Sequence, residues 1–326
     1  MMSETAQFYE TFPFPSPDIE SSLINEIAEE IPLIRSNPDL SGLRVLEAGC
    51  GTGHYLVGMA LRYPKASFLG VDLSNQSLAV ARRLAQRHGA NNIEFLKASI
   101  PELALSIEYD LITCIGVLHH LPDPRAGLRA LADHLAPKGH MLLWFYHSLG
   151  EHGRMLDREL VLLLTSGEDV RSGMDTVRAL GLRHSLARYG YPWEGWTEAG
   201  FSPVEQEARD ADAYLNPIVR PFRFAELPAL FEGSGLDWVA LHRVYSSTGI
   251  RLPDLDGVAP EVPGALSVED LFADETLRSR LRRMSRAQQT LALELRLRPT
   301  GFALVAGRPG GLPDCLPRIR HNLLLG

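Results

Sequence analysis

A glycine-rich segment at residues 45–55, VLEAGCGTGHY, is the part of the sequence best suited to binding a ligand. An apolar run ends at Ala48, and Gly49, Gly51 and Gly53 follow it, so bare backbone can come close to a ligand. A helix that begins there would present unpaired backbone N–H groups. Dinucleotide-binding proteins use similar glycines, so the spacing predicts a ligand-binding turn without naming the ligand. A tight turn that binds nothing is the alternative.

Two acidic residues restrict the kind of ligand. Glu47, two residues before the first glycine, puts a carboxylate where a pyrophosphate would otherwise lie, which favours a ligand with an ammonium or sulfonium group. Asp72 ends the next apolar run and is positioned to accept hydrogen bonds from both hydroxyls of a ribose. Asp72 alone would also fit an NAD-binding site. Alternatively, its carboxylate binds no ligand and is stabilised by the N-terminus of the following helix. We interpret Cys50 as a small buried wall residue, because no partner base is identifiable near it.

Three side chains are candidates for catalysis. His119 and His120 belong to the segment GVLHH, and a histidine with a near-neutral pKa can deprotonate an acceptor. If the strand continues through them, they face opposite sides, so one would shape the pocket while the other packs. Tyr146 ends a later apolar run, and His147 and Arg154 follow it. We expect these three near the acceptor, although helix capping and surface charge explain the last two nearly as well.

Alternating strands and helices must position these residues. Successive strand candidates lie about 25 residues apart, which is typical of a parallel α/β sheet covered by helices on both faces. The first five are RVLEA, SFLGVD, IEFLKA, DLITCIGV and HMLLWFY, and later ones are Trp238–Tyr245 and Gly301–Arg308. Ser74 and Gly89 are expected to cap a helix between them. Other expected helices are Ser21–Ile34, Pro124–Leu135 and Ala225–Gly233.

The alternation of predicted strands and helices, and the places where it stops, divide the chain into five parts. Residues 1–40 open with FYETFPFPSPD, whose prolines predict a non-helical segment that acts as a lid over the ligand or as an apolar strap. Residues 41–146 form the ligand-binding core. Residues 147–220 are expected to be a helical insertion that forms an acceptor pocket and contains the aromatic segment YGYPWEGW. Residues 221–310 complete the sheet and carry a basic helix, and residues 311–326 form a tail.

The segments LEAGCGTG, GVDLS, IEFLKASI, GVLHHLPDP and LAPKGHMLLWFY, in this order, resemble the class I S-adenosylmethionine-dependent methyltransferases. The resemblance is close over residues 40–147 and looser over residues 220–308. It implies an α/β, Rossmann-like fold with a seven-stranded, mostly parallel sheet whose last strand is antiparallel. It also implies S-adenosyl-L-methionine as the cofactor.

The resemblance further implies roles for several cofactor-binding residues. Glu47, Gly49, Gly51 and Gly53 would hold the methionine part. Asp72 would hold the ribose, and Ser99 and Ile100 would hold the adenine. Apart from the resemblance, we also expect cofactor contacts from Tyr9, Cys50, Leu73, Gly116 and Val117. The family commonly has Asp at the position of Ser99, so adenine binding would depend more on backbone here.

The resemblance and the composition together predict methyl transfer to a small molecule by direct displacement. A methyltransferase acting on RNA or protein, and a non-catalytic subunit that binds the cofactor, are the alternatives. The chain of 326 residues has 40 acidic and 32 basic side chains, a formal net charge of −8, which disfavours a nucleic-acid partner. The basic run Arg278–Arg286 is expected to be a solvated helix face. Three cysteines without paired spacing predict no metal site and no disulfide framework, and we expect a cytoplasmic protein without a membrane segment.

Overall fold

A single mixed sheet forms the centre of the computed structural model, which describes residues 3–166, 169–190 and 201–325. Ten strands belong to it within this part of the chain. They are β1 Arg44–Ala48, β2 Ser67–Asp72, β3 Ile93–Lys97, β4 Tyr109–Ile115, β5 Leu135–Tyr146, β6 Trp238–Ser246, β7 Gly249–Pro253, β8 Ala265–Leu266, β9 Gly301–Gly307 and β10 Leu323–Leu325.

Helices cover both faces of this sheet. Those among the described residues are α1 Glu4–Thr11, α2 Glu26–Ile34, α3 His54–Arg62, α4 Asn75–His88, α5 Pro124–Asp133, α6 Ser148–Leu164, α7 Val170–Ala179, α8 Pro203–Leu215, α9 Leu227–Phe231, α10 Val268–Leu271, α11 Glu275–Arg282, α12 Arg286–Leu297 and α13 Pro317–His321. Neighbouring residues of β1 pack on opposite faces, Leu46 in one apolar cluster and Val45 in the other. Both faces of the sheet are therefore buried, as parallel strands require.

The strand order confirms the expected Rossmann-like architecture. The order is β3-β2-β1-β4-β5-β9-β6-β7-β8, and β10 pairs with β6. Strands β1 to β5 pair in parallel, whereas β9 is antiparallel to both β5 and β6, as expected for the closing strand. The expected count of seven strands is too low. Strands β7 and β10 each pair with β6, and β8 pairs with β7. These three strands are therefore additional to the seven that the resemblance implied.

The first residues correct the expectation of a non-helical N-terminus. Residues 4–11 form helix α1, which includes Phe8 and Tyr9. The Ser3 side chain caps it by accepting a hydrogen bond from the Ala6 amide at 3.2 Å. Pro13 comes only after the C-cap residue, so the prolines restrict the chain beyond the helix rather than within it.

Other helix boundaries follow their capping signals. Helix α4 begins after Ser74, whose side chain accepts from the Ser77 amide, and ends at Gly89, which has a φ of 68°. Both caps agree with the sequence expectation. Helix α2 begins at Glu26, later than the expected Ser21.

Helices α6, α7 and α8 follow β5 in the region expected to be a helical insertion, and a 3-10 turn at Leu186–Tyr189 follows α7. They share an apolar cluster with α1, in which Phe8 and Phe12 pack near Val161 and Tyr214. Residues 191–196 of the segment YGYPWEGW lie outside the described residues. The insertion is therefore packed against the N-terminal helix as well as the sheet.

Candidate active site

A cavity lies at the carboxyl ends of β1, β2, β4 and β5, where ligands of open α/β sheets bind. The turn after β1 forms one wall. Gly49 and Gly51 have φ values of 76° and 52°, which disfavour any residue with a side chain. A Cβ at Gly49 would overlap the Val117 side chain, and one at Gly51 would overlap the carbonyl oxygen of Phe14. Glycine is thus required at both positions by conformation and by contact.

Glu47 is a buried carboxylate that forms no ion pair with any described residue. It is 3% exposed, and its Oε2 has no hydrogen-bond partner among the described residues. Burial, and then the nearby Asp72, raises the pKa of Glu47 to about 8. Such a carboxyl group is stabilised in its charged form when a cation binds beside it, so it fits a ligand that carries an ammonium group.

Asp72 is held by backbone on both of its oxygens. Its Oδ1 accepts from the Ser74 amide at 2.8 Å, and its Oδ2 accepts from the Gly51 amide at 2.9 Å. Burial raises the pKa of Asp72, and these backbone hydrogen bonds oppose the shift. Each oxygen keeps a second lone pair, so the fixed carboxylate is able to accept two ligand hydroxyls.

Most of the predicted site residues line this one cavity. They are Tyr9, Glu47, Gly49, Cys50, Gly51, Asp72, Leu73, Ser99, Ile100, Gly116, Val117, His120 and Tyr146. Burial raises the pKa of the Cys50 thiol well above its usual value, which agrees with a wall residue rather than a nucleophile. Their individual ligand contacts stay predictions.

Gly53 and His119 are not among the residues that line the cavity, so their roles in the site stay predictions. Gly53 immediately precedes α3, and a Cβ there would come within 2.8 Å of Ala81 in α4. Its small size therefore serves the packing of α3 against α4. His119 is fully buried, its ring centroid is 4.3 Å from that of Tyr146, and neither ring nitrogen has a partner among the described residues.

His120 differs from its neighbour because one ring nitrogen is fixed. Both histidines belong to a 3-10 turn, Leu118–His120, instead of the extended strand end that the sequence suggested. The Nδ1 of His120 lies 2.6 Å from the carbonyl oxygen of Ile218, so Nδ1 must carry the proton and donate it. Burial lowers the pKa of His120, which keeps the ring neutral. Its Nε2 is therefore the atom able to accept a proton.

Aromatic rings form the far part of the cavity, which we term the aromatic chamber. Its rings are those of Tyr55, Trp144, Tyr146, Tyr189 and Tyr245. The centroid of the Trp144 ring lies 5.1 Å from that of Tyr146 and 5.9 Å from those of Tyr189 and Tyr245. The Nε1 of Trp144 is buried and has no hydrogen-bond partner in the described part of the chain. The chamber is thus mainly aromatic, and its wall contains a donor that no described residue satisfies.

The helical insertion contributes wall residues that the sequence analysis missed. They are His184, Leu186, Tyr189, Arg209 and Asp212. All of them follow β5 by more than 35 residues; Tyr189 is the first residue of the aromatic segment YGYPWEGW, and the other four belong to no motif. The only signal was the expectation that residues 147–220 line an acceptor pocket.

Helix α1 and the segment after it cover the cavity. The hydroxyl of Tyr9 donates to Asp212 Oδ1 at 2.8 Å, and the amide of Asn216 donates to the Tyr9 oxygen at 2.8 Å. The Thr52 amide donates to the Phe14 carbonyl at 2.9 Å, which fastens the segment to the glycine turn. The N-terminal residues are therefore both a cavity wall and part of the packed structure.

His147 and Arg154 support the site from outside the cavity wall. His147 Nε2 lies 2.8 Å from Glu294 Oε1, and the His147 ring also caps α6. Arg154 forms an ion pair with Glu151, and its guanidinium lies 4.4 Å from the centre of the Tyr146 ring. Both side chains are buried and contact partners within the chain, and recognition of the acceptor by either one stays a prediction.

The basic run of α11 and α12 is largely paired with acids. Arg278 lies 2.6 Å from Glu275, Arg282 pairs with Glu269, and Arg286 pairs with Asp256. None of the run lines the cavity. Within the described residues, no group of His, Cys, Asp and Glu could hold a metal ion, and no helix is both long and apolar enough to cross a bilayer.

Comparisons with known proteins agree with this site. A family model described as a methyltransferase domain matches residues 39–161. A ubiquinone biosynthesis O-methyltransferase of Acinetobacter baylyi is 36% identical over 51% of this chain and 70% of its own length. An uncharacterized protein of Synechococcus is 34% identical over 83% of this chain. The chain spans 61%, 52% and 43% of the first three curated relatives.

A solved structure shows the same fold. PKMT2 from Rickettsia typhi, determined in complex with AdoHcy, superposes with a TM-score of 0.57 at 19% identity. The match covers 90% of this chain and 53% of that one. The sheet order, the glycine turn with Glu47 and Asp72, and the matching family model and relatives lead to one conclusion. The chain belongs to the class I S-adenosylmethionine-dependent methyltransferase family.

Proposed function

We propose that this chain binds S-adenosylmethionine beside the glycine turn and transfers its methyl group to a small molecule held in the aromatic chamber. The continuity of the cavity supports this proposal most directly, since Glu47 and Asp72 line the same space as Trp144 and Tyr245. A donor and an acceptor bound at its two ends would meet without crossing solvent. The name of the Acinetobacter baylyi relative, an O-methyltransferase of ubiquinone biosynthesis, supports a small-molecule acceptor and a hydroxyl as its reacting group.

The residues at the glycine turn fit the cofactor. Glu47 would bind the ammonium group, since its Oε2 lacks a partner within the described residues. Asp72 would accept the ribose hydroxyls, and Ser99 with Ile100 would hold the adenine edge. When bound, S-adenosylmethionine supplies an electrophilic methyl group on its sulfonium. The protein has to align the acceptor with that group and keep water out.

His120 would remove a proton from the acceptor. Its neutral ring offers Nε2, because Nδ1 donates to the Ile218 carbonyl. Tyr146 would position the acceptor, since its ring packs over Arg154 and lines the cavity. Helix α1 would exclude water through the contact of Tyr9 with Asp212.

A macromolecular acceptor is the second candidate and predicts an open, basic rim around the cavity. The described structure favours it less, because α1 and the insertion cover the cavity and the arginines of α11 and α12 lie outside its wall. A non-catalytic subunit would bind the cofactor and form no product.

Formation of S-adenosylhomocysteine is the measurement that separates these functions. The full chain is incubated with S-adenosylmethionine and with pools of metabolites, peptides or RNA. We expect product with the metabolite pool alone. Product with peptides or RNA would overturn the small-molecule acceptor, and cofactor binding without product in any pool would indicate the non-catalytic subunit. Calorimetry that shows tighter binding of NAD would overturn the cofactor assignment, since Glu47 would repel a pyrophosphate.

A further inference from the structure

We propose that the methyl acceptor is an uncharged aromatic molecule with a ring hydroxyl and a second, hydrogen-bond-accepting oxygen. This inference rests on the proposed function, because it identifies the acceptor class of the same cavity. Three features of the aromatic chamber support it. They are the aromatic walls, the charged residues that already have partners within the chain, and two buried nitrogen atoms without a hydrogen-bond partner among the described residues.

The walls of the chamber favour a planar, apolar body. Five aromatic rings surround it, and the aliphatic residues Ile27, Leu142, Leu186 and Ala303 line the same cavity. The Trp144 and Tyr245 rings meet edge to face with an interplanar angle of 80°. A flat ring packs against such faces in stacked or edge-to-face contact, which adds to the gain from burial alone.

The charged groups beside the chamber already have partners. Glu30 lies 2.8 Å from Arg243 Nε and 2.5 Å from His242 Nε2. Asp212 accepts from Tyr9 and from Asn216. A charged acceptor would lose its hydration, and Glu30 and Asp212 already bind other residues of the chain and would not compensate for that loss. Binding of a charged acceptor is therefore disfavoured. A neutral acceptor avoids this loss.

Two buried polar atoms of residues that line the chamber have no hydrogen-bond partner among the described residues. Trp144 Nε1 is a donor only, so it needs a lone pair, which an oxygen substituent supplies. His184 is more than nine-tenths buried, and its Nδ1 has no partner among the described residues. Burial, and then Arg154 and Arg209, lowers the pKa of His184 well below its usual value, so the ring is neutral and suits a hydroxyl. Both groups would stay unsatisfied beside a purely apolar acceptor.

Four matched catechols test the inference on the full chain. Each carries, at the same ring position, a hydroxymethyl, methyl, aminomethyl or carboxylate group, so that size is nearly constant while charge and hydrogen bonding change. Formation of S-adenosylhomocysteine gives kcat/KM for each. We expect the hydroxymethyl compound to exceed both charged compounds by about tenfold or more. A preference for the aminomethyl or carboxylate compound would overturn the inference and leave the proposed function intact.

Trp144→Phe tests the donor separately, because it keeps a ring and removes the N–H group. We expect kcat/KM to fall roughly tenfold for the hydroxymethyl compound and to change little for the methyl compound. Equal losses for both would overturn the role of the donor. If this variant fails to fold, the comparison of the four catechols on the native protein still tests the inference.

Calorimetry with S-adenosylmethionine distinguishes failure of the inference from failure of the proposed function. Normal cofactor binding with no transfer to any of the four catechols would overturn the inference alone. Absence of cofactor binding would overturn the proposed function.

Discussion

Gly51 donates its backbone N–H to Asp72 Oδ2 over 2.9 Å, so the turn after β1 and the acid that ends β2 are joined before any ligand binds. The same glycine has a φ of 52° and lies against the Phe14 carbonyl. One residue therefore connects the glycine turn, the expected ribose-binding carboxylate and the N-terminal segment. A substitution in the glycine turn, at Asp72 or in the N-terminal segment should therefore alter the conformation of the other two.

Asp72→Ala should weaken binding of S-adenosylmethionine by about 1–3 kcal/mol, because charge-assisted hydrogen bonds to the ligand are lost. Calorimetry measures the change. Asp110→Ala is the matched control, since Asp110 Oδ2 also accepts a backbone amide at 2.9 Å, from Arg44, but lies outside the cavity wall. Equal affinities for the native protein and the Asp72 variant would mean that this carboxylate only orders the backbone at Gly51 and Ser74.

The affinity for S-adenosylmethionine should rise with pH up to about 8. The pKa of Glu47 is raised to about 8 in the free protein, so below that pH the carboxyl group is largely protonated. A bound ammonium favours the charged form, and binding near neutral pH should release a proton. Calorimetry in buffers of different ionisation enthalpy measures this release. Glu47→Gln should abolish it and weaken binding, and an unchanged pH profile would contradict the role of Glu47.

Glu47→Gln should also raise the Tm of the ligand-free protein at alkaline pH. A carboxyl group whose pKa is higher in the folded state contributes stability below its unfolded pKa and loses it as pH rises through the folded value. For Glu47 that window runs from 4.5 to about 8. Thermal melts of both proteins at several pH values check this. A variant that is no more stable at high pH would show that Glu47 is not a buried, unpaired acid.

His120→Ala should lower kcat by roughly 100-fold and leave cofactor affinity unchanged, since a positioned base contributes about that much or more. His119→Leu is the matched control, because it replaces a neighbouring buried ring that does not line the cavity. Its kcat should change little. The lowered pKa of His120 places the acid limb of the native pH–rate profile below 6.5. Equal kcat losses in both variants would contradict a specific role for His120.

Tyr9→Phe should increase cofactor dissociation, because the hydroxyl no longer joins α1 to Asp212 and Asn216. Stopped-flow displacement measures the rate. Phe8→Ala is the control for the fold, since Phe8 belongs to the apolar cluster and not to the cavity wall. It should lower the Tm by several degrees. If Tyr9→Phe changes the Tm but not the dissociation rate, α1 is a structural strap and not a lid.

The cofactor half of the site was predictable because its signals are local. Gly49 and Gly51 adopt positive φ at fixed places after a strand, and Glu47 precedes them by two residues. Ser74 and Gly89 cap α4 as expected. By contrast, α1 was missed because the prolines after it outweighed the cap at Ser3, and the additional strands were missed because β7, β8 and β10 are short.

The sequence by itself therefore determined the fold class, the family and the residues of the glycine turn. Only the tertiary structure decided that His120 lines the cavity while His119 packs behind it, and that His184 joins Trp144 in one chamber. Backbone conformation and capping depend on residues a few positions apart, so a short segment encodes them. Burial, ion pairing and the loss of a hydrogen-bond partner depend on which distant segments meet, and those contacts form only when the whole chain packs.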